Sequence, residues 1–317
     1  MKLLLTGGAG YIGAHVATLA EREGHSVTIV DDLSTGIARR IASPLVDINL
    51  AAADSVEKLS TLMGETGFDA VIHLAARKQV GQSVEMPEQY FLDNIGGLAN
   101  LLLAMREHDV KKLVFSSSAA TYGMPSLDLV DEDYPGVPIN PYGQTKLVGE
   151  WMVKNAATWG LRGVNLRYFN VAGSESKKLA DTAELNLIPI AIAQLKRGER
   201  PIVFGTDYPT PDGSCIRDYV HVEDLAKAHL MAVNYLDRPV QEFATFNVGT
   251  GQGASVLEVL EELRQASGIE FEEVLADRRP GDPPRLVANT DRIEKVLGFK
   301  ASFGLKEIVK SAWDAAN

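Results

Sequence analysis

Short apolar runs rich in β-branched residues alternate with amphipathic stretches along the first half of the chain. KLLLT at 2–6, SVTIVD at 26–31, LVDI at 45–48, DAVIHLA at 69–75, KKLVFSS at 111–117 and GVNLRYF at 163–169 read as strands. Helical patterns near 11–24, 54–66, 94–107 and 142–159 separate most of them. Apolar strands alternating with helices predict βαβ units with right-handed crossovers, and so an α/β fold on a doubly wound parallel sheet. Beyond residue 174 the pattern loosens, and Pro189, Pro201, Pro209, Pro211, Pro280, Pro283 and Pro284 punctuate it. Residues 1–174 are expected to form the main domain, with returns near 221–251 carried by HVEDLAKAHLMAV and TFNVGTG. Residues 175–317 are expected to form mainly a smaller ligand-covering region.

The 317 residues are 45% hydrophobic, enough for a large core and, by length, about two domains. A formal net charge of -11 argues against nucleic acid or an anionic membrane as partner. Cys215 stands alone, so no intrachain disulfide can form, which fits a reducing compartment. No apolar run is long enough to span a membrane, and the opening MKLLLTGGAGYIG is too short in apolar residues for a signal-peptide core. A cytoplasmic location is expected. The six histidines show no metal-ligand spacing, and no metal is expected; His221 and His229 read as structural and Cys215 as a packing residue.

Gly7, Gly10 and Gly13 follow the first strand directly and open a helix. Glycines there permit a tight turn, close approach of a pyrophosphate to backbone, and helix N–H groups facing the anion. Asp31 ends the second strand 18 residues after Gly13. A carboxylate at that point accepts hydrogen bonds from ribose hydroxyls and repels a 2′-phosphate. The nearest arginines are Arg39 and Arg40, so NAD is favoured over NADP. A Rossmann-type nucleotide-binding fold follows.

Tyr142 and Lys146 stand four residues apart in PYGQTK, which on a helix begun at Pro141 puts both on one face. A free phenol, with a pKa of about 10, is a poor base at neutral pH. A nearby ammonium and a cationic nicotinamide both favour the phenolate, so Tyr142 is expected to act as the proton carrier. Ser118, at the C-terminal edge of the fifth strand, is placed to hydrogen-bond the same substrate oxygen.

These residues resemble the extended branch of the short-chain dehydrogenase/reductase superfamily. Within it, TGGAGYIGAH, SSSAATYG, NPYGQTK, LRYFNVAG and above all FGTDYPTPDGSCIRDYVHVEDLA resemble the UDP-glucose 4-epimerase family over nearly the whole chain. The resemblance implies cofactor contacts at Tyr11, Ile12, Asp31, Asp32, Leu33, Ser34, Thr35, Gly36, Asp47 and Ile48. It implies more at Leu74, Ala75, Ala76, Lys78, Asn94, Ser118, Tyr142, Lys146 and Phe169. Substrate contacts are implied at Lys78, Ser118, Tyr142, Asn170, Asn186, Leu187, Ile202, Val203 and Phe204. Arg217, Arg279, Asp282 and Leu286 complete that set. Arg217 and Arg279 also fit on chemistry, because an acidic protein binding a diphosphate needs guanidinium groups. Segment 173–187 is shorter than in many members and lacks their His-Pro-containing loop.

The implied reaction inverts C4 of a UDP-hexose, UDP-glucose to UDP-galactose, through a transient 4-keto sugar. Epimerisation of UDP-N-acetylglucosamine or UDP-xylose stays open. A 4,6-dehydratase needs an added acid/base pair near the serine, where this chain has Ala119 and Ala120. An inactive NAD-binding sensor need not keep Ser118, Tyr142 and Lys146 together. A homodimer is expected, as in relatives, through helices 94–107 and 142–159, with Leu98, Leu101, Leu102, Met105, Val148, Trp151 and Met152 supplying apolar surface.

Overall fold

The computed structural model describes residues 1–238, 243–279 and 281–317, so Pro280 lies outside the described residues. Its elements open with β1 (Lys2–Thr6), α1 (Tyr11–Arg22), β2 (Ser26–Asp31), β3 (Leu45–Asp47), α2 (Ser55–Thr66) and β4 (Ala70–His73). Then come α3 (Val80–Glu85), α4 (Pro87–Phe91), α5 (Gly97–Glu107), β5 (Lys112–Ser116), α6 (Pro141–Asn155) and β6 (Arg162–Tyr168). They continue with β7 (Asn170–Ala172), α7 (Leu187–Lys196), β8 (Ile202–Phe204), β9 (Ile216–His221), α8 (Val222–Tyr235) and β10 (Phe243–Val248). The last are β11 (Gly253–Ser255), α9 (Val256–Ser267), β12 (Val274–Ala276), β13 (Arg285–Leu286), α10 (Asp291–Leu297) and α11 (Leu305–Ala316).

Seven strands form one sheet in the order β10-β6-β5-β4-β1-β2-β3, with parallel pairing from β3 through β6. This is the Rossmann-type, doubly wound arrangement that the alternation of apolar strands and helices predicts. The order runs outward from β1 to β3 on one side and from β4 on the other, so the chain reverses direction between β1 and β4. Ligands of open parallel sheets bind at such a switch point, beyond the carboxyl ends of the strands.

Two compact units result: Met1–Gly123, Gly136–Arg167 and Ala226–Phe246 form the first, and Met124–Pro135, Tyr168–Leu225 and Asn247–Asn317 the second. In the first, Leu98, Leu101 and Met105 of α5 are fully buried and pack with Leu4, Val71, Leu113 and Phe115. Leu102 and Met152 are partly buried against the same cluster. The face expected to meet a partner is therefore mostly core. The apolar residues those helices leave to solvent are Leu103, 55% exposed, and Trp151, 56% exposed. HVEDLAKAHLMAV rejoins the first unit from Ala226 on, as a helix: Val222, Leu225, Ala226, His229 and Ala232 recur at helical spacing and are buried along α8. TFNVGTG returns to the sheet, as most of β10.

In the second unit, β9 pairs antiparallel with β11 and parallel with β13 and β7, while β8 pairs with β12. Its core comes from α7, α9 and α11, with Ile188, Ile192, Val259, Leu260, Leu263, Ile308 and Val309 buried together. Among the described residues no helix is long and apolar enough to cross a membrane. Nor does any group of three His, Cys, Asp or Glu side chains there sit so as to hold a metal ion.

Candidate active site

At the switch point the three glycines have separate physical reasons. Gly7 has φ +73, and a Cβ on it would lie 2.6 Å from the Ala75 nitrogen. A Cβ on Gly13 would lie 2.3 Å from the Gly7 carbonyl oxygen and 2.7 Å from the Gly8 Cα. Both glycines are demanded by the protein's own backbone packing. Gly10 is not: its Cβ would meet only the Gly7 oxygen, at 3.2 Å. It caps α1 without any side-chain cap bond, leaving room and a helix N-terminus for an anion.

Asp31 ends β2 and is buried. Its Oδ2 accepts the Ala9 N–H at 2.9 Å and its Oδ1 the Leu33 N–H at 2.9 Å. Burial pushes its carboxyl up, while these two N–H groups pull it down. A carboxylate offers about four acceptor sites, so capacity remains for ribose hydroxyls. Gly36 stands against it, since a Cβ there would lie 2.5 Å from Oδ1. Leu33 takes a left-handed backbone with φ 55, and Asp32 accepts Ser34 N–H at 3.0 Å, so the 31–36 turn is closely specified. These residues fit an NAD adenosine half.

Asn94 lies in a single π-turn, Leu92–Gly96, between α4 and α5, a distortion common at functional sites. It accepts the Arg77 N–H at 2.7 Å and donates to Arg77 O at 3.1 Å and Thr145 Oγ1 at 3.0 Å. It thus clamps the loop carrying Leu74–Lys78 to α6. Ile48 belongs to the core cluster, and Asp47 and Lys78 are exposed.

Ser118, Tyr142 and Lys146 come together beside that clamp. Asn140 caps α6 by accepting the Gly143 N–H at 2.8 Å, and Pro141 starts it. Tyr142 and Lys146 consequently share one buried face. Lys146 Nζ donates to Ser116 O at 2.7 Å and lies 5.9 Å from the Tyr142 ring centre. Ser118 lies beside Tyr142 and pulls its phenol down, while its oxygen accepts the Ala120 N–H at 3.1 Å. The protein alone does not lower the phenol as the sequence suggests. Burial pushes Tyr142 up to about 12, against the effect of Ser118, and holds Lys146 down at about 7, against the pull of Glu150. Both shifts have the same cause: a water-poor pocket penalises the charged form.

Around this set lies a network that sequence patterns did not single out. Glu150, one turn beyond Lys146, accepts Ser117 Oγ–H at 2.5 Å. Arg167 of β6 donates to both Glu150 oxygens, at 2.8 and 2.6 Å. The legible signal would have been a third polar residue at helical spacing after Tyr142 and Lys146.

In the second unit, Arg217 projects from β9. It donates to Ile216 O at 2.9 Å and Pro283 O at 2.7 Å, and reaches Asp282 at 3.5 Å. Its neighbour Asp218 turns the other way into the core and accepts Thr250, Gly251 and Ala288 N–H groups at 2.8, 3.0 and 3.2 Å. Leu286 pairs in register with Arg217, and Asn170 pairs with Tyr219 two residues further along β9. Arg279 stacks on Phe204, its guanidinium carbon 3.8 Å from the ring centre. Ile202, Val203 and Phe204 form β8, and Asn186 caps α7 just before Leu187 without a side-chain cap bond. Phe169 donates its N–H to Val248 O at 3.2 Å. A cavity of about 350 Å³ in this unit is lined by Thr250, Asn289, Asp291, Glu294 and Lys300, and touches none of the residues nominated from sequence.

The fold, with Ser118, Tyr142 and Lys146 gathered in its first unit, is of the class of nicotinamide-dependent enzymes that move hydride. Residues 3–249 match the NAD dependent epimerase/dehydratase family, and the chain belongs to it. It is 45% identical to a UDP-glucose 4-epimerase of Azospirillum brasilense over 98% of this chain and 90% of that protein. Among solved structures it resembles a UDP-glucose 4-epimerase from Brucella ovis in complex with NAD, at TM-score 0.95 and 38% identity, covering 99% of this chain and 98% of that one. It also resembles a Stenotrophomonas maltophila UDP-glucose-4-epimerase with bound NAD and formylated UDP-arabinopyranose, at TM-score 0.93 and 38% identity, covering 100% and 98%.

Proposed function

We propose that this protein interconverts UDP-glucose and UDP-galactose by inverting C4, with Tyr142 carrying the proton. The observation that carries the reading is Tyr142 and Lys146 on one buried face of α6, with Ser118 beside the phenol, on a family scaffold built for NAD. Tyr142 takes the 4-hydroxyl proton, Ser118 holds the same oxygen, and Lys146 supplies positive charge to the phenolate. Bound NAD supplies reversible hydride acceptance at C4. The 4-keto sugar turns about its link to the diphosphate, so that C4 takes the hydride back on its opposite face while Tyr142 returns the proton to the 4-oxygen. Gly7 to Gly13 would hold the pyrophosphate of the cofactor, Asp31 its ribose. Arg217 and Arg279 would hold the substrate diphosphate, with Asn170, Asn186, Leu187 and β8 around the rest and Leu286 limiting the sugar's C2 substituent. The first unit thus reads as the NAD-binding domain and the second mainly as the sugar-nucleotide domain. Ala119 and Ala120 offer no second acid/base pair, which disfavours dehydration.

Incubating purified protein with UDP-galactose, without added oxidant, and separating the nucleotide sugars tests this. UDP-glucose should form. No conversion of UDP-galactose, or a product lacking the elements of water, would overturn the reading.

A homodimer follows as part of the same proposal, with Leu103 and Trp151 at its surface. The cytoplasm is the compartment a nucleotide-sugar substrate and a lone, buried Cys215 fit best.

A further inference from the structure

The two residues before Ser118 are each tied to α6 by one side chain. Ser116 O takes the Lys146 ammonium at 2.7 Å, and Ser117 Oγ gives its hydrogen to Glu150 at 2.5 Å. Tyr142, Lys146 and Glu150 follow one another at spacings of four on the same helix face. Gly149 makes the short reach possible, since a Cβ there would lie 2.6 Å from the Phe115 ring, so α6 lies close on β5. From the neighbouring strand, Arg167 pins both Glu150 oxygens, and its guanidinium lies 4.8 Å from the Tyr122 ring centre. All these side chains are buried.

We propose that Glu150, held by Arg167, is a positioning residue for the proposed reaction: it fixes the exit of β5 against α6, setting Ser118 relative to Tyr142, and keeps Lys146 charged. The inference rests on the reading of Ser118, Tyr142 and Lys146 as the reacting set. Stability alone does not explain a charged pair at this place, because well-packed apolar residues serve buried positions as well or better. Charge has a specific use here. Facing Lys146 are Tyr142 and Glu150 on its own helix and His73 at the end of β4, while β5 presents the Ser116 carbonyl and the Phe115 ring. Thr6 holds His73 in a 2.6 Å hydrogen bond. Burial, with the Lys146 charge adding to it, holds its imidazole down to about 3, so it stays neutral. Glu150 is thus the group in this set that stabilises the ammonium at neutral pH.

The test uses the NAD-bound protein. Ser117→Ala removes the tie to β5 and leaves the ion pair. It should lower kcat between about 10-fold and 100-fold, the scale of a misplaced reacting group, with KM and unfolding midpoint near wild type. The double variant Glu150→Gln with Arg167→Met removes both charges together, so no unpaired ion is buried. In it the carbon-13 shift of Lys146 Cε should titrate at lower pH than in wild type, and the alkaline fall of kcat should move the same way. Wild-type kcat in Ser117→Ala, or an unmoved Lys146 titration, would overturn the proposal. So would rate losses that only track the fraction unfolded. If wild type converts no UDP-sugar, the functional reading fails while the Lys146 titration still decides the role of Glu150.

Discussion

Replacing Tyr142 by phenylalanine removes one oxygen from a side chain that is 7% exposed and leaves its ring in place. The structure confines the damage. Asn140 and Pro141 still cap and start α6, and Ser118 still accepts the Ala120 N–H. At most one hydrogen bond is lost, worth about 1 kcal/mol, so Tm should fall by no more than about 2 °C. The rate should fall about 100- to 10,000-fold, the usual worth of general acid–base assistance. Charge arithmetic explains why the phenol needs its surroundings. Burial raises it from 10.0 to about 12, a penalty on the phenolate of about 3 kcal/mol. Lys146, 5.9 Å from the ring centre and itself held down at about 7, does not undo that burial, so the fall toward neutrality is left to the positive charge that a bound, oxidised nicotinamide would add. The assay is UDP-galactose conversion by wild type and variant at equal NAD content, beside their thermal unfolding curves. A variant within tenfold of wild type, folded and loaded, would remove Tyr142 from proton transfer.

Purified protein should carry NAD, some of it reduced, seen as nicotinamide absorbance after denaturing release; Gly13→Ala, whose methyl would meet backbone at 2.3 Å, should lose it on gel filtration, and NADP in its place would sink the Asp31 argument. Lys146 sits at about 7 in the fold against 10.5 ordinarily, so between those values the unfolded chain holds the extra proton and rising pH favours folding. Measured against Lys146→Met, cofactor-stripped wild type should gain stability from about pH 7 to about pH 10; a flat difference in denaturant midpoints contradicts the burial account. Leu103→Glu with Trp151→Glu should shift light scattering from dimer to monomer, and an unchanged mass would reject that surface. Leu286→Tyr should depress kcat/KM for UDP-N-acetylgalactosamine much more than for UDP-galactose, by clash with the acetamide, and an unchanged ratio takes Leu286 off the pocket wall.

The parallel sheet was legible because its strands are uninterrupted apolar runs with glycine turns and helices between them. SVTIVD is β2 residue for residue. Less was legible where two readings share one pattern. The apolar stripe of α5 could face the sheet or a partner, and Leu98, Leu101 and Met105 went to the sheet. Short polar segments gave no period at all: Met124–Pro135 joins the second unit by contacts far along the chain, such as Val130 N–H to Val287 O at 2.9 Å. Tyr142 and Lys146 were readable as a pair from helical spacing. Glu150 and Arg167 were not, because their meeting depends on which strand lies beside β5.

Arg217 and Asp218 bear on how this acidic chain would hold an anion under the proposed function. Adjacent in sequence, they invite the reading of a neutralised surface pair. A strand sends successive side chains to opposite faces, and β9 separates them. Asp218 is consumed by backbone N–H donors in the core. Arg217 is oriented chiefly by two carbonyl oxygens, with Asp282 at a long 3.5 Å. Carbonyl oxygens fix a guanidinium's direction without cancelling its charge, whereas a bidentate carboxylate would do both. Glu150 and Arg167 are the contrasting case, a pair closed by two hydrogen bonds from guanidinium to carboxylate. Within a chain of net charge -11, an arginine aimed by neutral acceptors is the arrangement that leaves a local positive field for a diphosphate. Replacing Arg217 by lysine would keep the charge and lose the two-carbonyl hold, so its effect should fall on substrate KM well before kcat.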